Sequence, residues 1–436
     1  MPSAAACRPG RACALTGPAS ASAQPAAPST PAQRPRRVPH SDQPRRHTAH
    51  HRIRGHVLRH DRIRADHAVV AHLIVALAAA PAAACPPATS VLKSPRQGTK
   101  EVQAKALNDR GDVVGFADGR DGRFRALLWR GGKVSRAVVI GVLPGYVSSE
   151  AYAINNDRVV FGLLYDRRER TFPFRWRRGR MTLLRGPGGR REQVAVPDRN
   201  AINERGEMAG TLTGGGRRRA VRWSRTGKAT LLPPLPGHTW TNAWSIAQDG
   251  TVSGWSRRLP NEDGENNPVI WSRSGAVTAL GTVPGRADGA AEATNRSGLT
   301  VGYLGNLGTE TDPENDLATA WSSATAAPQF VDRATPQDTY GELVDVNDRG
   351  QAAGMSGRFT AAGFPLALPA IWQTGAAGLR TLTVPRAARG HRVVSTQLND
   401  INARGDIVGN AFGLSAAAFD KLQRVHPVRW TCPFGR

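Results

Sequence analysis

The chain has 436 residues, 40% of them hydrophobic, with 47 glycines and 31 prolines, which excludes a wholly disordered chain and suits many short strands joined by turns. Its net charge is +25, and residues 1–95 hold 13 Lys/Arg against three acids while the remainder keeps a surplus of +15. That surplus favours loose attraction to polyanions. No helix-turn-helix, zinc-finger or RNA-recognition signature accompanies it, so no specific nucleic-acid partner is expected.

Residues 1–66 are rich in Ala, Pro, Arg, Ser and His without apolar periodicity and are expected to be a disordered leader. Residues 67–85 read as a signal peptide. The apolar run AVVAHLIVALAAA, Ala68 to Ala80, is too short to span a bilayer, Arg62 and Arg64 give it a positive flank, and Ala82 and Ala84 fit an Ala-x-Ala cleavage site. A buried apolar helix is the competing reading of this run. A signal sequence some sixty residues from the first Met suggests that translation starts later, with Val57 a candidate initiator. Cys85 would then open the mature chain and offers a lipid-anchor site, the one expected route to a membrane. The protein is expected to be secreted or attached to the cell surface.

Residues 86–436 carry one unit seven times. A small-residue strand leads into Asn-x-x-Gly, and an apolar run follows, closed by a glycine: AKALNDRGDVVG, AYAINNDRVVFG, RNAINERGEMAG, AWSIAQDGTVSG, AEATNRSGLTVG, LVDVNDRGQAAG and LNDINARGDIVG. The closing glycines are Gly115, Gly162, Gly210, Gly254, Gly302, Gly354 and Gly409. A second run ends each unit's third strand in Trp129, Trp176, Trp223, Trp271, Trp321, Trp372 or Trp430, at separations of 47 to 58 residues. Each copy reads as four strands. Asn opens a tight hairpin by bonding its own backbone, and Gly takes the left-handed position. The fold class expected is all-β: a seven-bladed β-propeller of four-stranded antiparallel blades. The seventh copy stops soon after Trp430, so ATSVLKSPRQG ahead of the first copy is expected to supply its missing strand and close the ring. The alanines of the first strands are expected to line the channel, and the tryptophans to pack between blades.

These phrases, with AYAINN, RALLW, IGVLPG and LGTVPG the clearest, resemble the HAF-repeat family of extracellular proteins over about residues 88–431. The resemblance implies export and a propeller-like fold, with no established activity. Ala247 stands where Asn is expected and Arg158 where Gly is expected, which calls the tight turn into question in those copies.

No P-loop, dinucleotide fingerprint, G-x-S-x-G elbow or convincing metal-ligand set is found, and no cofactor or catalytic residue is expected. The mature region has only His238, His391 and His426. The two Arg-Gly-Asp triplets, 110–112 and 404–406, fall where the repeat demands a turn glycine, so adhesion is not inferred from them. The loops between second and third strands are basic in the first three copies and acidic in the fourth and fifth. Arg123, Arg125, Arg167, Arg168, Arg217, Arg218 and Arg219 are thus candidates for holding anionic groups, with Trp240 a candidate for stacking on a sugar ring. Asp312, Glu314 and Asp316 are the nearest approach to a weak Ca²⁺ cluster of hard oxygen ligands. The function expected is binding or scaffolding, by a monomer, of an extracellular glycan, anionic polymer or protein. The alternative is a polysaccharide lyase or glycoside hydrolase on a propeller. The alanine-rich first strands, with few acids (Glu292, Asp345, Asp400), argue for binding.

Overall fold

The computed structural model describes residues 88–94, 101–133, 136–197, 201–258, 265–305, 316–359, 365–384, 392–414 and 424–435. The leader, the signal segment and Cys85 lie outside them. The chain forms seven four-stranded antiparallel sheets, six of them meanders of consecutive strands, so the fold is a seven-bladed β-propeller. After β1 (Ala88–Val91), sheet 1 holds β2 (Val102–Leu107), β3 (Val113–Asp118), β4 (Phe124–Trp129) and β5 (Ala137–Val139). Sheet 2 holds β6 (Ser148–Ile154), β7 (Val160–Tyr165), β8 (Thr171–Arg177) and β9 (Arg180–Leu183), and sheet 3 holds β10 (Gln193–Val194), β11 (Met208–Gly214), β12 (Arg217–Trp223) and β13 (Ala229–Leu231). Sheet 4 runs β14 (Trp240–Ile246), β15 (Val252–Arg257), β16 (Asn266–Trp271), β17 (Val277–Ala279), and sheet 5 runs β18 (Asp288–Thr294), β19 (Thr300–Gly305), β20 (Leu317–Trp321), β21 (Gln329–Phe330). Sheet 6 is β22 (Tyr340–Val346), β23 (Gln351–Phe359), β24 (Pro365–Gln373) and β25 (Arg380–Thr381). Sheet 7 has β26 (Arg392–Ile401), β27 (Ile407–Leu414) and β28 (Arg424–Thr431), and β1 pairs with β28 as its fourth strand, Ala88 opposite Thr431 and Val91 opposite Val428.

The tryptophans hold neighbouring sheets together. The indole N–H of Trp223 donates to Arg185 O, that of Trp271 to Pro233 O, that of Trp321 to Gly281 O and that of Trp430 to Thr383 O, all within 2.9 Å. Each acceptor lies two residues past the outer strand of the preceding sheet. Trp129 donates to Lys93 O at 2.9 Å, two residues past β1, so β1 serves sheet 7 in the same register as the other outer strands serve theirs. The seven rings are buried, none more than 6% exposed, which removes a large apolar surface from water at every sheet junction.

The repeat glycines that close the second run have a different cause from the turn glycines. In six inner strands the ladder slips next to the closing glycine of the second strand, a β-bulge at Lys105, Tyr152, Trp244, Glu292, Val344 or Asn399, and β26 slips a second time at Val394. In those six sheets an inner-strand carbonyl sits against the glycine of the second strand. A Cβ at Gly115, Gly162, Gly254, Gly302, Gly354 or Gly409 would meet it at 1.9–2.2 Å. Sheet 3 has no such bulge: after β10 its inner strand leaves the ladder and returns at the Ile202–Met208 bridge. There a Cβ at Gly210 would instead first meet the Trp223 ring at 3.1 Å.

The bulge also corrects the expected channel wall. Ala104, Ala106, Ala151, Ala153, Ala291 and Ala293 flank it and are buried between sheets. At the Asn-turn end, a cavity of about 110 Å³ receives residues from all seven sheets, among them Leu107, Ile154, Ile202, Ile246, Thr294, Val346 and Ile401. The first-strand alanines therefore do not make this wall.

Cys432 is disulfide-bonded, so scattered cysteines do form at least one cross-link here; its partner lies outside the described residues.

Candidate functional site

All seven Asn-x-x-Gly turns share one backbone pattern, residue i+3 donating to residue i and residue i donating to i+4. The pattern holds at Ala247, and it holds at Arg158, which adopts φ 56°, so neither departure from the repeat breaks its turn. The asparagines do more than shape the turn. While Asn108 Oδ1 accepts from the Arg110 and Asp112 amides, its Nδ2 donates to Asn155 O of the next sheet. Asn155 bonds likewise to Asn203 O, Asn203 to Ala247 O, Asn295 to Asn347 O, Asn347 to Asn402 O and Asn402 back to Asn108 O, at 3.0–3.1 Å. Ala247 has no amide to continue the belt into sheet 5. A second belt runs alongside: the amide of Asp109 donates to Asn156 Oδ1, that of Asn156 to Glu204, that of Glu204 to Gln248 and that of Ala403 to Asp109. Two aspartates expected among the channel acids are tied up in the same framework, since Asp345 accepts from the Ile401 amide and Asp400 from the Leu107 amide.

This belt fixes the positions of an arginine group that sequence reasoning missed. In a meander, the turns between strands one and two and between strands three and four emerge at the same end. In sheets 1 and 2 those turns carry Arg110, Arg130, Arg136, Arg158, Arg177 and Arg178. They line two adjoining hollows of about 700 and 320 Å³ that share Arg110, Arg130 and Arg158, forming one trough. Arg158 is held to Asp112 at 2.8 Å and Arg177 to Asp157 at 3.2 Å. Arg110, Arg130, Arg136 and Arg178 have no ion-pair partner among the described residues. Burial opposes ionisation of Asp112, yet the bonds from Arg158, Gly131 and Asn108 outweigh it and hold its carboxyl below the usual aspartate value. Arg175 is held below its usual pKa by burial and then by Arg177 and Arg225, a mark of crowded positive charge. The signal available in the sequence was the run RWRRGR, 175–180, together with Arg110, Arg130 and Arg158 at turns of the same end.

The arginines chosen from sequence lie at the opposite end, with the loops between second and third strands. Arg123, Arg167, Arg168 and Arg217 are exposed there. Arg125 is committed to Asp121 at 2.8 Å and to Val147 O, and Arg219 is ion-paired with Glu192. Arg217, Arg218 and Arg219 belong to strand β12 rather than to a loop, so Arg218 points to the opposite sheet face from its neighbours. Trp240 and Trp244 are in inner strand β14, not in a connection between sheets. Asp312 and Glu314 fall outside the described residues, as does most of the acidic loop charge. Asp316 is described and gives its backbone carbonyl to the Gly341 amide. No group of three or more potential metal ligands occurs among the described residues. His238 Nδ1 lies 3.0 Å from Ser256 Oγ, and burial lowers its pKa. In the Arg-Gly-Asp triplets the aspartates are 1% and 3% exposed and hydrogen-bonded, which removes the carboxylate that adhesion requires.

One carboxylate does meet tyrosines. Glu150 accepts from Tyr152 Oη at 2.5 Å and Tyr165 Oη at 3.0 Å, and burial pushes its carboxyl above the usual glutamate value against those two bonds and nearby Lys105. Glu150 and Tyr152 are each 5% exposed, and Lys105 lies 5.5 Å from the Tyr152 ring. The inner strands are thus richer in polar groups than their alanines suggested.

No family model and no curated protein matches the chain. Similar solved structures include the β-propeller domain of the Trilobed protease from Pyrococcus furiosus, at 8% identity over 76% of this chain and 95% of that one, TM-score 0.48. An oligogalacturonate lyase from Vibrio parahaemolyticus is 11% identical over 79% and 93%, TM-score 0.49. A virginiamycin B lyase from Staphylococcus aureus is 12% identical over 79% and 99%, TM-score 0.43. The likeness is one of fold.

Proposed function

We propose that this protein is an exported binding module that holds an anionic polymer, an acidic glycan in the first instance, in the arginine trough of sheets 1 and 2. The observation that carries the reading is the set of four guanidiniums, Arg110, Arg130, Arg136 and Arg178, lining one trough with no ion pair to any of them among the described residues. Guanidinium binds carboxylate, sulfate and phosphate through paired hydrogen bonds, and a trough with several of them favours a chain of charges over a single ion. Export rests on the segment 67–85. The expectation of rim binding through Arg217, Arg218 and Arg219 gives way to this site, because the rim arginines are dispersed and in part already paired. The polysaccharide lyase or hydrolase alternative gains little from Glu150, which is 5% exposed and already accepts from both tyrosines.

Dextran sulfate and polygalacturonate are suitable probes. Replacing the four trough arginines by alanine should weaken binding by about 10- to 100-fold and flatten its salt dependence. Replacing Arg217, Arg218 and Arg219 should leave binding within about twofold, since that strand lies at the other end. Binding that survives the first set and is lost with the second would reject the trough.

A further inference from the structure

Cys432 follows the last residue of β28 and its sulfur is in a disulfide, while the cysteine joined to it lies outside the described residues. The chain has only three others, Cys7, Cys13 and Cys85. β1 and β28 are antiparallel with Ala88 opposite Thr431, so stepping back from Ala88 runs in the same direction as stepping forward from Thr431. Cys432 is one residue beyond that matched pair and Cys85 is three residues before it. A tether of three residues reaches at most about 10 Å, so this spacing along the sequence permits the 4.4–6.8 Å Cα separation that a disulfide needs, whereas a cysteine far up the chain is under no such tether. Cys7 and Cys13 stand far up the chain, in the stretch expected to be removed on export.

We infer that Cys85 is the partner of Cys432, and that this bond fastens β1 to β28 and leaves no thiol at Cys85 for a lipid. β1 has four residues, three of them exposed, and one neighbouring strand, so its backbone pairing alone is a short fastening. The cross-link encloses almost the whole propeller, and long enclosed loops gain most from closure. In forming it, two thiols give up two protons and two electrons. A disulfide oxidant of the exporting compartment accepts them by thiol exchange and leaves as the dithiol.

The full chain, exported and purified without reductant, is alkylated and digested with trypsin. The expected product is the peptide 430–436, WTCPFGR, joined to the peptide that contains Cys85 and ends at Lys93, with the two separating on reduction. Cys85→Ser and Cys432→Ser should each lower Tm by the same shift, and the double variant should lower it no further. Linkage of Cys432 to Cys7 or Cys13, an alkylated Cys432, a thioether lipid on Cys85, a mature chain that begins after Cys85, or additive losses in the two variants would overturn the assignment.

Discussion

Ala247 leaves the asparagine belt one amide short, although its turn keeps the same backbone bonds as the other six. Ala247→Asn should supply the missing bond to Asn295 O and raise stability by about 0.5–1.5 kcal/mol, as read from denaturant unfolding with an unchanged m-value. Arg158 shows the opposite trade. A non-glycine residue at φ 56° costs on the order of 1–2 kcal/mol, and here the side chain gains the buried Asp112 and a place in the trough. Glu150 carries the clearest pH signature. Its native carboxyl holds its proton more tightly than the unfolded one, so its contribution is complete below the ordinary glutamate pKa and is lost as pH rises through the raised native value. Glu150→Gln, neutral throughout, should flatten the fall in Tm across that window.

At the level of strands, the bulge and the glycine facing it form one device. Gly254→Ala would drive a Cβ to 1.9 Å from the Asn242 carbonyl and should cost about 3 kcal/mol or more, whereas Gly210→Ala first meets a ring edge at 3.1 Å and should cost about 1 kcal/mol. Thermal melts of the two variants side by side test this, and equal losses would show that the bulge is not what demands glycine. The number of sheets, the four strands in each and the burial of the tryptophans were legible in the sequence, because each repeats at one phase of one period. The bulge was not. A single slipped residue reverses which face the following side chains take, and the alanines assigned to the channel wall flank that slip and are buried between sheets instead. The asparagines were read correctly as turn formers. Their second bond crosses to a residue 44 to 55 positions away, or 294 for Asn402, and local sequence carries no mark of it.

Taken as a whole molecule, the trough was hidden because its arginines come from four turns of two sheets and converge only when the meanders are stacked. Loop length and local charge drew attention to the other end. The union of β1 with β28 was legible, since the seventh copy lacks a strand and the chain ahead of the first copy supplies one. A chain beginning at Leu92 should leave β28 as a bare edge, melt at a lower temperature and sediment as larger species; an unchanged, monomeric product would show the pairing to be dispensable. The belts also have a sense of rotation. Each of the six asparagines that open a turn donates to the following sheet, from Asn108 through Asn402 and round to Asn108. Such a heterologous contact has no symmetry of its own: it either returns to its origin after a whole number of copies or extends as a filament. Seven copies return. A fragment trimmed of one or more sheets would keep a giving face and a receiving face with nothing between them, and copies of it would join end to end.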